Sequence, residues 1–180
     1  MNVLRRMLSI SGGIAKQAPM NKLAFAAIGL SLSLSLVAGC ATVPVPPATA
    51  AGPDFLTRNA AAKRVVTTAS GLQYFIVKSG PKAGRSPVGS DSVTFDYEGK
   101  LTTGETFDSS FARGTPLTGP VDGFVPGFTE ALKMMRPGDE WIVWIPPALG
   151  YGDHATGSIP AGSVLRFRLV LHSVTPAAAS

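Results

Sequence analysis

One cysteine and two histidines are all the thiol and imidazole groups this chain has. Cys40, His154 and His172 stand far apart, and neither histidine has metal-ligand spacing to the other or to the cysteine. This pattern points to no metal. Beyond Cys40 there is no further cysteine, so a domain there has no disulfide and no cysteine nucleophile. No Gly-x-Ser-x-Gly elbow, phosphate loop or dinucleotide fingerprint occurs. Asp153-His154 sits in a glycine-rich stretch and reads as a solvated loop pair. Arg166 and Arg168 share one strand face, which is too little for a nucleic-acid footprint. There is no internal repeat.

Acidic residues are absent from the first forty positions, which hold Arg5, Arg6, Lys16 and Lys22. Charge of either sign is absent from Leu23 to Ala38, and Val37-Ala38-Gly39-Cys40 follows. A basic start, an apolar run and small residues before a cut site describe a secretory signal. The pattern resembles the lipobox of bacterial lipoproteins, which implies a signal peptide over 1–39, lipid on Cys40 and an envelope location facing the periplasm. Two other readings stay open: an uncleaved anchor, since sixteen residues are only slightly short of a span, and an incidental cysteine after an ordinary signal. Met20 is an alternative start to Met1. Ala41 rather than Asp after the cysteine leans toward the outer membrane, by analogy with bacterial sorting. Without the leader, the net charge of +5 falls to about +1, so the basic excess belongs to translocation and not to a nucleic-acid partner.

Residues 41–53 are rich in Pro and Ala without apolar periodicity, an extended tether. Residues 54–64 suit a short helix, with Asp54 as its cap and Phe55 and Leu56 as its apolar contact. The tether region is thus 40–67, the folded domain 68–175 and the tail 176–180. The tether is too short for a long helical dimerisation domain, so a monomer is expected. Leu72–Lys78, Ser92–Lys100 and Trp141–Ile145 read as strands, with Val93, Phe95 and Tyr97 on one face of the second. Thr102-Thr103-Gly104 reads as a hairpin turn. In the last strand Leu165, Phe167, Leu169 and Leu171 alternate with Arg166, Arg168, Val170 and His172. Phe128, Ala131, Leu132 and Met135 make one apolar helix face, preceded by Pro126-Gly127, with Glu130 in its first turn and Arg136-Pro137-Gly138 as its stop. Antiparallel strands with one short helix across them define an α+β class.

What the chain does have is a series of aromatics on separate segments: Tyr97-Glu98-Gly99, Phe107-Asp108-Ser109-Ser110, Val125-Pro126-Gly127-Phe128, Gly150-Tyr151-Gly152, Ile159-Pro160 and Phe167. One acid among them and glycine or proline at the turns suggest an apolar pocket with few polar groups. Order and spacing resemble the FKBP-type peptidyl-prolyl cis/trans isomerases, over roughly residues 68–174. The resemblance implies a curved antiparallel sheet wrapped on a helix and isomerisation of Xaa-Pro bonds without a cofactor. It implies proline-containing unfolded or exported polypeptides as partners, with macrolide ligands as inhibitors.

The resemblance also implies roles. Tyr97, Phe107, Val125, Phe128, Tyr151, Ile159 and Phe167 line the pocket, with Phe128 as its floor. The Val125 N–H and the Tyr151 hydroxyl hold substrate carbonyls. Asp108 bonds the Tyr97 hydroxyl or polarises the twisting amide. The chain departs from the family at three places: Phe128 replaces the usual tryptophan, Leu117 stands where many members have an aromatic or small residue, and Gly119 falls where bacterial members often have phenylalanine. These departures bear on rate and ligand affinity, and they motivate an alternative: a chaperone-like binding module with weak or no catalysis. An envelope scaffold that kept only the fold is a third reading. Taken singly, Tyr97, Phe107 and Phe167 also fit a plain core, Asp108 a turn, and Tyr151 a loop.

Overall fold

The computed structural model describes residues 53–177. Cys40, the leader and most of the tether lie outside the described residues. Helix α1 (Pro53–Ala60) comes first, followed by strands β1 (Val66–Thr67), β2 (Gln73–Lys78), β3 (Ser92–Leu101) and β4 (Thr106–Ser109). Then come helix α2 (Ser110–Arg113), strand β5 (Leu117–Pro120), helix α3 (Pro126–Met134), β6 (Glu140–Ile145) and β7 (Leu165–Thr175). Short 3-10 turns lie at Val121–Gly123 and Pro147–Leu149.

One antiparallel sheet runs in the order β1-β2-β6-β7-β3-β4. β3 is ten residues long and alternates strictly between partly buried and buried positions. One of its edges pairs with β7 from Ser92 to Leu101. The other is shared: β5 takes Ser92 to Phe95, and β4 takes Glu98 to Lys100. The stretch between them is where the chain leaves the sheet as α2, so the site grows out of a gap in an edge.

The alternation in β3, β6 and β7 sends Phe95, Tyr97, Val143, Ile145, Phe167 and Leu169 to one face, all fully buried. Helix α3 packs its Phe128, Ala131 and Leu132 against that face. Gly127 lets the first turn of α3 touch β6, since a Cβ there would lie 2.6 Å from Ile145 Cγ2. Each large apolar side chain fully buried here contributes about 1.5–3 kcal/mol. The architecture is α+β.

Four local expectations are corrected. Pro126 and Gly127 lie inside α3 and do not precede it, because Val125 is the extended N-cap and proline, lacking an N–H, suits the first helical position. Glu130 therefore falls beyond the first turn. Asp54 sits within the first turn of α1, not at its cap, because that helix opens at Pro53. The expected helix over 54–64 also stops at Ala60.

Candidate functional site

The aromatic segments, scattered in sequence, meet over the N-terminal end of α3. The Phe128 ring centre lies 5.0 Å from Phe167, 5.2 Å from Phe124, 5.3 Å from Phe95 and 6.5 Å from Tyr97. Phe107 stands edge-on to Phe167 at 5.5 Å. The Phe167, Tyr97 and Phe107 contacts are near-perpendicular or tilted, the arrangement favoured by ring quadrupoles.

Two layers can be told apart by burial. Tyr97, Phe128 and Phe167 are fully covered, and Ile159 is 1% exposed. Phe107, Leu117, Val125 and Tyr151 pack on this base and keep part of their surface in solvent. The expected floor residue is thus at the centre of the cluster, but beneath the partly exposed four. Ile159 closes a tight turn, in which its N–H and C=O both bond Thr156 at 3.0 and 2.9 Å.

The one acid of the site is held from two sides. The Tyr97 hydroxyl donates to Asp108 Oδ2 at 2.8 Å. Arg113 Nη1 donates to Asp108 Oδ1, and Arg113 Nη2 donates to the Tyr97 hydroxyl at 2.7 Å. The guanidinium carbon also lies 5.4 Å from the centre of the Tyr97 ring. Burial, and then the hydrogen bond to Asp108, push the Tyr97 phenol far above its ordinary range. Tyr97 therefore stays a donor.

α2 is what brings Arg113 there. Ser109 caps it by accepting from the Ala112 N–H at 3.2 Å, and Gly114 ends it in the left-handed region at φ 66. The fully buried Ser110 anchors its start. Its hydroxyl donates to Asp96 Oδ1 at 2.5 Å and accepts from the Tyr97 N–H at 2.9 Å. Asp96 Oδ2 in turn meets His172 Nε2 at 2.8 Å. Burial opposes ionisation of Asp96, but the Ser110 and His172 hydrogen bonds outweigh it and hold the carboxyl below its usual range.

Tyr151 behaves differently. Its hydroxyl oxygen is buried and has no hydrogen-bond partner among the described residues. Burial, with a smaller contribution from the Asp108 charge, pushes its phenol up to about 12. A buried, unpartnered O–H is costly unless something fills the vacancy. Here it is the group expected to meet a substrate carbonyl.

Two site residues were not legible in the sequence. Arg113 follows Asp108 by five residues, but only the turn of α2 aims it back. Phe124 contacts both Phe95 and Phe128, at 5.4 and 5.2 Å. Its ring lies beside Gly119, where a Cβ would stand 3.5 Å from Phe124 Cζ. Its signal was its place immediately before Val125. His154 and Asp153 are exposed, as a solvated loop pair should be. Among the described residues, no group of three or more His, Cys, Asp or Glu is placed to hold a metal ion.

Comparison with known proteins places this arrangement. Residues 83–172 match the family model of the FKBP-type peptidyl-prolyl cis-trans isomerase, and residues 46–76 match the domain amino terminal to it. The peptidyl-prolyl cis-trans isomerase Mip of Coxiella burnetii is 44% identical over 121 residues, 67% of this chain and 52% of that protein. The outer membrane protein MIP of Legionella longbeachae is 41% identical over 130 residues, 72% of this chain and 55% of that protein. The crystal structure of FkpA from Escherichia coli superposes with a TM-score of 0.65 at 39% identity, covering 68% of this chain and 57% of that one. The chain thus spans about half the length of the relatives it matches. With half of its residues matched by the family model, the chain belongs to the FKBP-type peptidyl-prolyl cis-trans isomerases.

Proposed function

We propose that the protein catalyses cis/trans isomerisation of Xaa-Pro bonds in polypeptides of the bacterial cell envelope. The observation that carries this reading is the buried Tyr151 hydroxyl, without a partner among the described residues, beside an apolar cluster whose acid, Asp108, is already paired with Arg113. Among the described residues such a site has one unpartnered buried side-chain donor and no activated nucleophile. That suits a reaction in which no covalent bond is made or broken.

The barrier to rotation about the amide is about 18–20 kcal/mol and comes from resonance. Water stabilises the planar, charge-separated amide more than the twisted one. An apolar site that removes water therefore favours the twisted form. The proline ring seats among Phe107, Val125 and Tyr151, with Leu117 at the rim and Ile159, Phe167 and the Phe128 ring behind. Tyr151 Oη donates to a substrate carbonyl, and the Val125 N–H to another. Asp108, locked by Tyr97 and Arg113, keeps the wall rigid and sets the field at the twisting bond.

The leader supports envelope placement through a lipid on Cys40, and a relative named an outer membrane protein supports the outer over the inner membrane. The tether then lets the domain reach exported chains while they fold.

The test is the cis-to-trans rate of an Xaa-Pro peptide with the purified protein, with and without a macrolide ligand. Ligand-inhibited acceleration is expected. A folded protein that leaves the rate unchanged sinks the proposal and leaves peptide binding without catalysis.

A further inference from the structure

A second surface, away from the aromatic site, has the makings of a binding groove. β2 is paired on one side by β6 from Gln73 to Lys78. On its outer side β1 covers only Gln73 and Tyr74. β1 is that short because Arg64, just before it, adopts a left-handed backbone at φ 69 and turns the chain off the edge. Among the described residues no strand pairs the outer edge of β2 beyond Tyr74. The Arg64 side chain reaches back to the Ile76 carbonyl at 3.3 Å and stacks over Phe75.

Two cavities meet along this edge at Ile76 and Ser79. One, of about 380 Å³, is lined by Arg64, Val66, Tyr74, Ile76 and Val77. The other, of about 270 Å³, runs past Met134 and Trp141 to Lys82 and Arg136. Val66, Ile76 and Val77 are 47%, 36% and 45% exposed, so much of the strongly exposed aliphatic surface is gathered here. Tyr74, which lines the first cavity, and Trp141, which lines the second, stack at 4.6 Å. The indole N–H of Trp141 has no partner among the described residues.

Charge at the edge is predominantly positive, with Asp139 the one acid that lines the second cavity. Arg64, Lys78, Lys82 and Arg136 form no ion pair among the described residues. The acids nearby are already engaged. Asp139 accepts from the Gly80 and Arg136 backbone N–H groups at 2.5 and 2.8 Å, and Glu140 is held by Arg168 at 2.8 Å. A second copy of the chain pairing edge to edge would bring these four cations against their own images. The charge therefore favours a different, acidic partner.

We propose that the outer edge of β2 is a second polypeptide site, which takes an extended segment with alternating apolar and acidic side chains. The segment adds a strand beyond Tyr74. Its apolar side chains enter the two cavities, and its carboxylates meet Arg64, Lys82 and Arg136. Such a site would hold a client chain without reference to proline. It does not depend on the aromatic cluster being catalytic.

The test uses the purified full-length chain and a labelled, proline-free peptide in which valine alternates with glutamate, with a valine–lysine peptide as its control. The glutamate peptide should bind saturably, and the lysine peptide at least about tenfold more weakly. Lys82→Glu with Arg136→Glu should weaken the glutamate peptide by about tenfold or more and leave the rate on a short Xaa-Pro peptide unchanged. Raised salt should weaken binding to the unaltered protein in the same direction. In a Trp144→Phe protein, where Trp141 is the remaining tryptophan, emission should change as the peptide saturates.

Equal binding of the two peptides, or none up to about 1 mM, overturns the proposal. So does displacement by a macrolide, which would place the peptide in the aromatic site. Unchanged Trp141 emission at saturation also overturns it, as would a concentration-dependent dimer abolished by the same charge reversals.

Discussion

Phe107 lies on the bare Cα of Gly99, so close that a Cβ built there would stand 2.5 Å from Phe107 Cε2. The same Cβ would come within 2.7 Å of Phe167 Cε1. One missing methyl group on β3 thus lets two rings from β4 and β7 meet edge to face.

Gly99→Ala should therefore displace both rings. Overpacking of this kind costs about 1–3 kcal/mol. A lowered Tm together with a loss of Xaa-Pro isomerisation is the expected pair of results. An alanine protein with unchanged stability would mean that the rings are not held this tightly.

Tyr151→Phe should separate stability from function. Removing a buried hydroxyl that has no partner should leave Tm unchanged or raise it, since no hydrogen bond is lost. If that hydroxyl bonds the substrate, kcat/KM should fall by about fivefold, the worth of one neutral hydrogen bond. With its phenol pushed up to about 12, Tyr151 should remain a donor, and the rate should show no step from this group below about pH 10. A measured pH–rate profile that falls near pH 9 would count against its role.

Arg113 spans Asp108 and the Tyr97 hydroxyl with its two terminal nitrogens. A lysine ammonium cannot occupy both positions, so Arg113→Lys should resemble Arg113→Ala. Both should reduce kcat by about tenfold, as should Asp108→Asn, because a charge-assisted hydrogen bond is lost. The double variant Asp108→Asn with Arg113→Ala should lose much less than the two single effects combined. Additive losses would show that the pair does not act as a unit.

Acid should unfold the domain partly through Asp91. The Arg85 side chain, then the Val88 and Ala177 N–H groups, lower its carboxyl from 3.8 to about 2. Its folded-state value is the depressed one, so its stabilisation is complete above pH 3.8 and is lost as pH falls toward 2. Thermal melts of Asp91→Asn should show a lower Tm at pH 7 and a shallower decline between pH 4 and pH 2. An unchanged acid slope would remove Asp91 from the account.

The parts of the fold that were readable were those whose pattern repeats several times. β3, β6 and β7 alternate over six residues or more, and α3 carries a full apolar stripe. β5 was not readable because Gly119 and Pro120 speak for a loop, yet both sit on an edge strand where β3 supplies the pairing. β4 is four residues, two of them Asp108 and Ser109, which fit a turn as well as a strand. The aromatics of the site could be named because ring type and order carry information along the chain. Arg113 and Phe124 could not, because their roles depend on where two short helical turns point them.

The position of β7 sets an order in time. It lies between β6 and β3 and joins them, yet among the described strands it is made last, ending at Thr175. Until β7 emerges, β3 and β6 have no common neighbour, and Tyr97 and Phe128 lack the Phe167 ring. The domain therefore cannot close on the ribosome or inside a narrow channel while β7 is still held. A chain that must be threaded unfolded across a membrane would stay threadable until β7 had passed, and would then close with long-range pairings made together.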